Sequence, residues 1–524
     1  MHSYSLLING EDVDTGRYDY FPYSEKAITE RFKTQQIIRE LRQGKFPNNW
    51  QDYVYARYCI GMEDTNQKAI EAAHRASLEF KHFPLSARRK IYDDIHALLL
   101  LNKEAFIRLL MVEGHPRRLA EWEFEGMEIG SRPDTIDFFR AQLRREIGRS
   151  RNEILYWARK PDGVVCLSPP GNASASNSFT AILIFLVGNT LVIKPPLRAP
   201  IATIFLWKHV VHEALKKHRA PSGTLNIVVG NSQQITQEWI TSPHVDDIVF
   251  FGDSKSGLAL ASRAFERGKK PILELSGNDM LLVWKDADLD QASASMLDGF
   301  LGSGQICMVP KIGLIHEQVY HAFVEKIVRQ AEALKIGLPS EDPETVLSPV
   351  TRMSEYVDFL RDAKDKGAKI LCGGFRVNHL GEADSQGIYI RPTVVAINDE
   401  EPQALKCMRE EIFFPLMPLV KLSGSDEQIF KRMIELANSN EYGLRASAWV
   451  RSDSYVRRFA KQLDNCGLLR INSKHAAFSP YIATHGGTGK SGGPFGEMNY
   501  MWQKTSHLQG ICRTHLPKEI FSVR

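Results

Sequence analysis

The feature that most constrains the fold of this chain is an alternation of short apolar runs with longer stretches of helical period, which begins at Gly163. Strands are predicted at 163–167, 190–193, 225–229 and 248–251, and helices near 177–187, 200–216, 232–240 and 254–266. Repeated strand–helix–strand units build a mostly parallel sheet that helices cover on both faces. A second alternation, from 272 to about 471 with strands at 281–283 and 312–315, predicts another α/β module.

The length of the chain supports this division, and its composition and charge exclude several other classes of protein. The 524 residues exceed what one core holds, since single cores stop growing near ~250–300 residues. A hydrophobic fraction of 43% and a charged fraction of 24% exclude disordered, collagen-like and disulfide-scaffold classes. The net charge of +4 comes without a run of like charges, so we expect no nucleic-acid partner.

The cysteines and the apolar stretches bear on location. Seven scattered cysteines without a CxxC pair are typical of a reducing cytosol and argue against a disulfide framework or a structural zinc site, so no metal is predicted. No basic segment followed by an apolar run opens the chain, so we expect no signal peptide. The most apolar stretch, 179–193, is shorter than the ~20 residues of a membrane span and predicts a buried helix running into a buried strand. We therefore expect a cytoplasmic protein without membrane contact.

The N-terminal third is mostly helical in pattern. Helices are predicted within 65–110 and 119–142. The segment 27–58 carries a charged helical pattern with Ile37 and Leu41 on one face. We interpret it as a surface helical insertion, because loop extensions are widely tolerated.

One motif match is set aside. Residues 487–492 read Gly-Thr-Gly-Lys-Ser-Gly, but a Walker loop needs a further glycine where Thr484 stands, and no strand–turn–helix unit is evident. We interpret this segment as a tight loop.

Three segments carry the chemistry. Glu274 follows a predicted strand, Cys307 lies in a loop of small residues 33 positions later, and 410–415 reads Glu-Glu-Ile-Phe-Phe-Pro. A thiolate is a good nucleophile toward a carbonyl carbon, and a neighbouring carboxylate can activate the thiol or a water molecule. These residues predict a covalent mechanism in one cleft.

The ordered set of motifs resembles the aldehyde dehydrogenase superfamily, from about residue 60 to 500. Seven segments carry the resemblance: Gly188 to Pro195, Pro221 to Gly230, Phe250 to Gly257, Glu274 to Gly277, Gly304 to Cys307, Glu410 to Pro415 and Tyr442 to Leu444. The resemblance implies an α/β fold with a Rossmann-like parallel-sheet cofactor domain, a second α/β catalytic domain and a small β oligomerisation hairpin. It also implies NAD or NADP as cofactor.

The resemblance implies roles for individual residues. Cys307 would be the nucleophile, Glu274 the general base and Asn172 the oxyanion donor together with the backbone N–H of Cys307. The cofactor-binding residues implied are Lys194, Gly230, Gly252, Asp253, Gly257, Leu275, Glu411 and Phe413. The reaction would pass through a thiohemiacetal and a thioester on the cysteine, and a water activated by Glu274 would release the acid.

Several positions depart from the family pattern. Asn172 lies sixteen residues before Gly188, where the family has seventeen, and Gly171 precedes it. Asp253 stands beside the expected pyrophosphate position, where it would either oppose an anion or cap the following helix. Ser276 and Phe414 each replace a glycine, which suggests altered local packing.

The cofactor preference is predicted from one further departure. Leu197 occupies the position three after Lys194 where many members have Glu, so a 2′-phosphate would meet no acidic repulsion. Arg198 follows directly and is a candidate phosphate ligand. We expect NADP to be accepted, and preferred if Arg198 faces the phosphate; if Arg198 points to solvent, NADP would only be tolerated.

Two other functions stay open. An acylating relative, or thioester reductase, would pass the acyl group to or from coenzyme A or another thiol; such relatives usually lack the base that Glu274 supplies. A catalytically inactive structural or binding homologue is the third alternative.

The substrate is not readable beyond an aldehyde. Ile306 and Met308 flank the nucleophile, and Phe179 and Phe300 are candidates for an entry tunnel. This favours an apolar, long or aromatic aldehyde, although ordinary core packing accounts for these residues equally well.

The predicted boundaries place the dinucleotide-binding domain at 1–143 plus 163–275 and the catalytic domain at 276–475. An oligomerisation segment is predicted at 144–162 plus 490–524, where the apolar residues 154–157 would be costly on an exposed edge strand. We expect them to pair with residues 498–515 of another subunit, giving a homodimer or homotetramer.

Overall fold

A computed structural model describes residues 1–150, 153–339, 342 and 344–514. The predicted oligomerisation segment includes residues 151–152 and 515–524, which lie outside the described residues. Two seven-stranded sheets with helices on their faces dominate the chain, so the predicted α/β class is confirmed.

The first sheet holds five parallel strands and an antiparallel edge hairpin. Its order is Lys270–Glu274, Asp247–Phe251, Val164–Ser168, Thr190–Ile193, Leu225–Ile227, Leu6–Ile8 and Glu11–Val13. Strands such as Val164–Ser168 and Thr190–Ile193 are buried along their whole length, which is why they read as continuous apolar runs rather than as alternating ones.

Helices surround this sheet, some packed on its strands and others on neighbouring helices. They are Thr65–Phe80, Leu85–Leu101, Lys103–Val112, Arg117–Ser131, Pro133–Ala141, Ser174–Phe179, Ile184–Val187, Ile201–Leu206, Glu213–Lys217, Ser232–Thr241 and Ser254–Glu266. The predicted passage of a buried helix into a buried strand is found where Ile184–Val187 leads into Thr190–Ile193.

The second sheet follows within six residues of Glu274. Its order is Lys369–Cys372, Thr393–Asn398, Leu416–Leu422, Ile312–His316, Met280–Val283, Arg445–Trp449 and Leu468–Ile471. Its helices are Leu289–Leu297, Glu317–Glu332, Met353–Asp365, Lys406–Arg409, Asp426–Asn438 and Asp453–Gln462. In the segment 487–492, Thr488–Gly489 pairs as a two-residue strand with Tyr442–Gly443, and Lys490 pairs with Glu441. These local contacts agree with the interpretation of the segment as a tight loop.

The predicted insertion is helical over only part of its length. The helices are Ser24–Thr29 and Arg31–Arg42. Residues near its end form Val54–Cys59, the middle strand of a small sheet with His2–Tyr4 and Tyr18–Pro22. The alternating burial along Val54–Cys59 explains the strand, so the interpretation as a helical insertion is wrong for these residues.

The hairpin strands Arg144–Arg149 and Glu153–Pro161 pair antiparallel, and Ser506–Thr514 pairs with Glu153–Pro161 on the other side. The partner near 498–515 thus comes from the same chain, which corrects the expected pairing between subunits. A strand of the same chain can reach this edge because the short helix Met501–Lys504 leads directly into it. Among the described helices, none combines the length and apolar character needed to cross a membrane.

Candidate active site

The site lies between the two large sheets, at the carboxyl ends of the first sheet's parallel strands. Asn172 follows Val164–Ser168 within four residues, and Lys194 directly follows Thr190–Ile193. Glu274 is the last residue of its strand. Crevices at such ends are where open α/β sheets bind ligands.

Two cavities meet at Cys307. The groove, with a volume of about 450 Å³, is lined by Cys307, Glu274, Asn172 and Lys194 among others. The tunnel, a narrower cavity of about 90 Å³, is lined by Cys307 and Asn172 on its inner side. Asn177 also lines both cavities, although the sequence motifs did not single it out. The thiol is therefore reachable from two directions.

The loop that presents Cys307 has an unusual backbone. Gly302, Ser303 and Gly304 all have positive φ, near 59°, 59° and 68°. Ser303 tolerates this conformation because its Oγ donates to the carbonyl of Ser348 and accepts from the Ser348 N–H. A Cβ at Gly304 would lie 2.8 Å from the Phe414 carbonyl oxygen, so the glycine is required there. The small residues before the nucleophile thus serve loop geometry.

The electrostatics around Cys307 favour the neutral thiol. Burial raises its pKa to about 12, and the carboxyl groups of Glu411, Glu274 and Asp279 add to that increase. Lys311 opposes it. Reaction at neutral pH therefore needs a base that removes the thiol proton.

Glu274 is buried, with a side chain held at both oxygens. Its Oε1 accepts from Asn499 Nδ2 at 2.6 Å, and its Oε2 accepts from the Gly486 N–H at 2.9 Å. Burial raises its pKa to about 8, while these two hydrogen bonds act in the opposite direction. A carboxyl group with a pKa near operating pH suits general base work. Nothing in the sequence indicated Asn499, which lies 225 residues away.

The strand end of Glu274 and the loop of Cys307 are in direct contact. A Cβ at Gly277 would lie 2.4 Å from the Cys307 carbonyl oxygen. Only glycine allows this approach, which gives the Glu-Leu-Ser-Gly segment a structural reason for its last residue.

Asn172 lies beside the same loop. Its side-chain Nδ2 donates to the Gln305 backbone carbonyl at 2.8 Å, and the Asn172 backbone carbonyl accepts from His115 Nε2 at 2.8 Å. The amide retains a second N–H, and the Cys307 N–H has no hydrogen-bond acceptor among the described residues. Both N–H groups are thus free to donate, as the predicted oxyanion role requires.

The far end of the groove is lined by Lys194 and Ser232. Lys194 Nζ donates to Ser232 Oγ at 2.8 Å, and burial lowers the pKa of Lys194 to about 8. Gly252 and Asp253 line the groove at the N-terminus of Ser254–Glu266. Asp253 caps that helix. Burial tends to raise its pKa, but the Ser256 N–H, which donates to Oδ1 at 2.9 Å, holds the pKa below its usual value. Asp253 therefore serves as a helix cap even if an anion binds nearby.

The middle of the groove is lined by Glu411 and Phe413. Glu411 accepts from Ser276 Oγ at 2.9 Å and from Arg352 at 3.3 Å, and the Arg352 guanidinium lies 4.5 Å from the centre of the Phe413 ring. Burial raises the pKa of Glu411, against the effect of Arg352. Ser276, a departure from the family pattern, thus provides a hydrogen bond that glycine could not.

Not every predicted cofactor residue lines the groove. Leu275 does, whereas Gly230 and Gly257 do not among the described residues. A Cβ at Gly257 would lie 2.2 Å from Leu275, so this glycine permits close packing of helix and strand. Gly257 thus affects the groove through the position of Leu275, which lines it.

Arg198 also lines the groove. Its Nε donates to the Gly171 carbonyl at 3.2 Å, and a Cβ at Gly171 would lie 2.3 Å from that nitrogen. Arg198 thus occupies the space that a side chain at position 171 would take. Lys194, in contrast, contacts Ser232.

The tunnel has a mostly apolar wall with a polar inner end. Ile306, Met308 and Phe179 line it, as expected. Phe300 does not; it is buried in the core of the second sheet, so its predicted place in the tunnel is wrong. The wall also includes Trp122, Met127, Phe139, Phe478, Tyr481 and Ile482, and the polar residues Glu123, Ser176 and Asn177.

A cysteine and a carboxylate lie between a sheet of the dinucleotide-binding type and a second α/β sheet. This arrangement defines the aldehyde dehydrogenase class of fold. Comparison with known proteins agrees. The model of the aldehyde dehydrogenase family matches residues 45–510, and the chain belongs to this family.

Three similar proteins illustrate the relationship. A lactaldehyde dehydrogenase of Methanocaldococcus jannaschii is 29% identical over 454 residues, 85% of this chain and 92% of the relative. A 3-sulfolactaldehyde dehydrogenase of Pseudomonas putida is 29% identical over 465 residues, 85% and 90% of the two chains. The crystal structure of a glyceraldehyde-3-phosphate dehydrogenase of M. jannaschii complexed with NADP superposes with a TM-score of 0.76 at 26% identity, covering 88% of this chain and 97% of that one.

Proposed function

We propose that the chain oxidises an aldehyde to the carboxylic acid, with a nicotinamide dinucleotide as electron acceptor and Cys307 as nucleophile. The observation that carries this proposal is that Cys307 opens onto both the tunnel and the groove, while Glu274 lines the groove. An aldehyde and a dinucleotide can thus reach the thiol from different sides.

The first step is attack of Cys307 on the aldehyde. Glu274 takes the thiol proton. With a pKa of about 8 a fraction of Glu274 is ionised near neutral pH, and because the thiol pKa is about 12 the transfer has to be coupled to formation of the sulfur–carbon bond. A sulfur–carbon bond forms and the carbonyl oxygen becomes an oxyanion. The Asn172 amide and the Cys307 N–H donate hydrogen bonds to this oxygen.

The residues of the groove fit a dinucleotide. Lys194 and Ser232 offer donors for ribose hydroxyls, the N-terminus of Ser254–Glu266 offers N–H groups and partial positive charge to a pyrophosphate, and Phe413 offers a flat apolar face. When bound, the nicotinamide supplies the two-electron acceptor that converts the thiohemiacetal on Cys307 into a thioester.

Glu274 then acts a second time. Once its first proton has passed to solvent, the Glu274 carboxylate takes a proton from water and the resulting hydroxide attacks the thioester carbon. The sulfur–carbon bond breaks, the acid leaves, and Glu274 returns its proton to the Cys307 thiolate. Asn499 and the Gly486 N–H stabilise the carboxylate form that this step requires.

The proposed substrate is a small aldehyde with an apolar body. The tunnel volume of about 90 Å³ and its aromatic wall support this class. Relatives named for lactaldehyde and sulfolactaldehyde support small substrates as well.

We further propose that NADP is accepted. Leu197 is exposed and leaves no carboxylate next to Lys194, so no acidic group at that position repels a 2′-phosphate. Because Arg198 contacts Gly171, we assign the contacts to the 2′-phosphate of NADP to Lys194 and Ser232 rather than to Arg198.

One assay tests the reaction. Aldehydes of increasing chain length are supplied with NAD or NADP, and reduced cofactor is followed by absorbance, with Cys307→Ala as the control. We expect turnover of short aldehydes with both cofactors and none with the control. No turnover of any aldehyde, with intact cofactor binding, would support the inactive alternative. Product formation that depends on an added thiol acceptor would support the acylating alternative. A preference for NAD above about a hundredfold, about 2.7 kcal/mol, would refute the NADP argument.

A further inference from the structure

A third cavity, which we call the arginine cleft, lies beside the active site. It has a volume of about 880 Å³ and separates the helix Arg31–Arg42 from the loop that carries Asn172. Gly171, Asn172, Arg198 and Thr351 line both the arginine cleft and the groove. The cleft is therefore a side chamber of the active site that the proposed reaction does not use.

Arginine side chains dominate its charge. Arg31, Arg39 and Arg42 line it from one helix, and Arg198 lines it from the opposite side. The first three recur at intervals that place them on one face of the helix. Four guanidinium groups around one cavity make it strongly positive.

The acidic groups nearby neutralise only part of this charge. Arg42 pairs with Asp19 at 2.7 Å, but Arg31 and Arg39 make no ion pair or side-chain hydrogen bond with the described residues. Glu113 is the one carboxyl group among the described residues lining the cleft, and it accepts the N–H groups of Ile201 and Ala202. Two guanidinium groups thus face the cavity without a counter-charge.

The helix is fixed in place by apolar packing and by one ion pair. Ile37, Ile38 and Leu41 form a small core with Tyr53 and Val54, and Arg42 pairs with Asp19. Arg31 and Arg39 make no such contact, so the cleft is preformed without them.

We propose that the arginine cleft binds a small organic anion that carries phosphate or carboxylate groups at two ends. Guanidinium forks match both groups in bidentate geometry. Arg31 and Arg39 are about 12 Å apart along the helix axis, at 1.5 Å per residue, so one ligand with two separated anionic groups can contact both. The cavity volume is in the range of small-molecule sites. The proposal is independent of the dehydrogenase reaction.

The test is calorimetric titration of the full chain with fructose 1,6-bisphosphate, and separately with citrate, each with and without excess NADP. We expect one bound bisphosphate per chain under both conditions, and weaker binding as salt is raised. The double variant Arg31→Gln/Arg39→Gln should weaken binding at least about tenfold. The matched control Arg75→Gln/Arg457→Gln changes two exposed arginines outside the cleft and should bind like the wild type.

The remaining outcomes are decisive as well. Tighter binding of citrate than of the bisphosphate would identify a carboxylate ligand within the same proposal. Failure of both probes to bind, equal binding by the Arg31→Gln/Arg39→Gln variant, or complete displacement by NADP would overturn it. Because the readout is binding, loss of aldehyde oxidation would leave the result interpretable, and matching thermal unfolding of both double variants would exclude misfolding.

Discussion

We predict that the hydrogen bond between Asn499 and Glu274 sets the pH at which Glu274, the proposed general base, becomes active. We expect Asn499→Ala to raise the pKa of Glu274, because Asn499 Nδ2 donates to the charged form at 2.6 Å. A hydrogen bond to a charged group contributes about 1.5–3 kcal/mol, which corresponds to a pKa increase of about 1–2 units at 1.36 kcal/mol per unit. The pKa would move from about 8 to roughly 9–10.

The assay is the pH dependence of steady-state turnover. Activity that needs the ionised carboxylate rises with pH through the pKa of Glu274, so the rising limb should shift upward by that amount in the variant. Well below both pKa values, turnover should fall roughly tenfold to a hundredfold. Asn226→Ala is the matched control, since Asn226 is also buried and donates to a backbone carbonyl, that of Gly223, in the first sheet. A limb that stays in place for Asn499→Ala, or that shifts equally for Asn226→Ala, would refute the reasoning.

Further expectations follow from the same geometry. Cys307→Ala should abolish oxidation but leave NADP binding intact, as measured by calorimetry; preferential thiol labelling of another cysteine in the wild type would count against Cys307. Glu274→Gln should slow the burst of reduced cofactor, because Glu274 takes the thiol proton, and should slow steady turnover more, because Glu274 acts again on water. It should also raise the melting temperature more at pH 9 than at pH 5, since the pKa of Glu274, raised from 4.5 to about 8, means that the wild type loses stability as pH rises toward about 8. An unchanged rate of acid formation would place the base elsewhere. Gly277→Ala should reduce kcat roughly tenfold to a hundredfold, because its Cβ would lie 2.4 Å from the Cys307 carbonyl oxygen. The control is Gly510→Ala, whose Cβ would meet nothing within 4 Å. Equal activity of the two variants would contradict the close approach of Gly277 to Cys307. Finally, exposed Trp157 and Leu508 on the hairpin sheet should drive self-association, so light scattering that finds a monomer at micromolar concentration would contradict this expectation.

Local patterns predicted much of the fold. The strands Thr190–Ile193 and Asp247–Phe251 lie where the apolar runs predicted them, because a strand buried on both faces needs apolar residues at consecutive positions. The predicted family membership is confirmed. The assigned catalytic roles stay predictions, although Cys307, Glu274 and Asn172 do line one groove.

Contacts between distant segments were beyond sequence reasoning. The sequence placed residues 498–515 against the hairpin but could not tell a strand of the same chain from one of another subunit. Arg198, predicted as a phosphate ligand, does line the groove with Lys194, but sequence reasoning could not foresee that its Nε donates to the Gly171 carbonyl, where the missing side chain leaves room for it. Phe300 has the aromatic side chain expected of a tunnel residue, but it packs into the core.

The sequence by itself determined the family and the candidate catalytic residues, since the predicted nucleophile, the predicted base and the glycines that permit their approach all lie in short segments. Only the tertiary structure decided how those groups are tuned. The pKa of Glu274 depends on burial and on Asn499, and the charge of the arginine cleft depends on a helix from the N-terminal segment facing Arg198. Burial and charge are set by everything packed around a group, and most of those neighbours are far away along the chain.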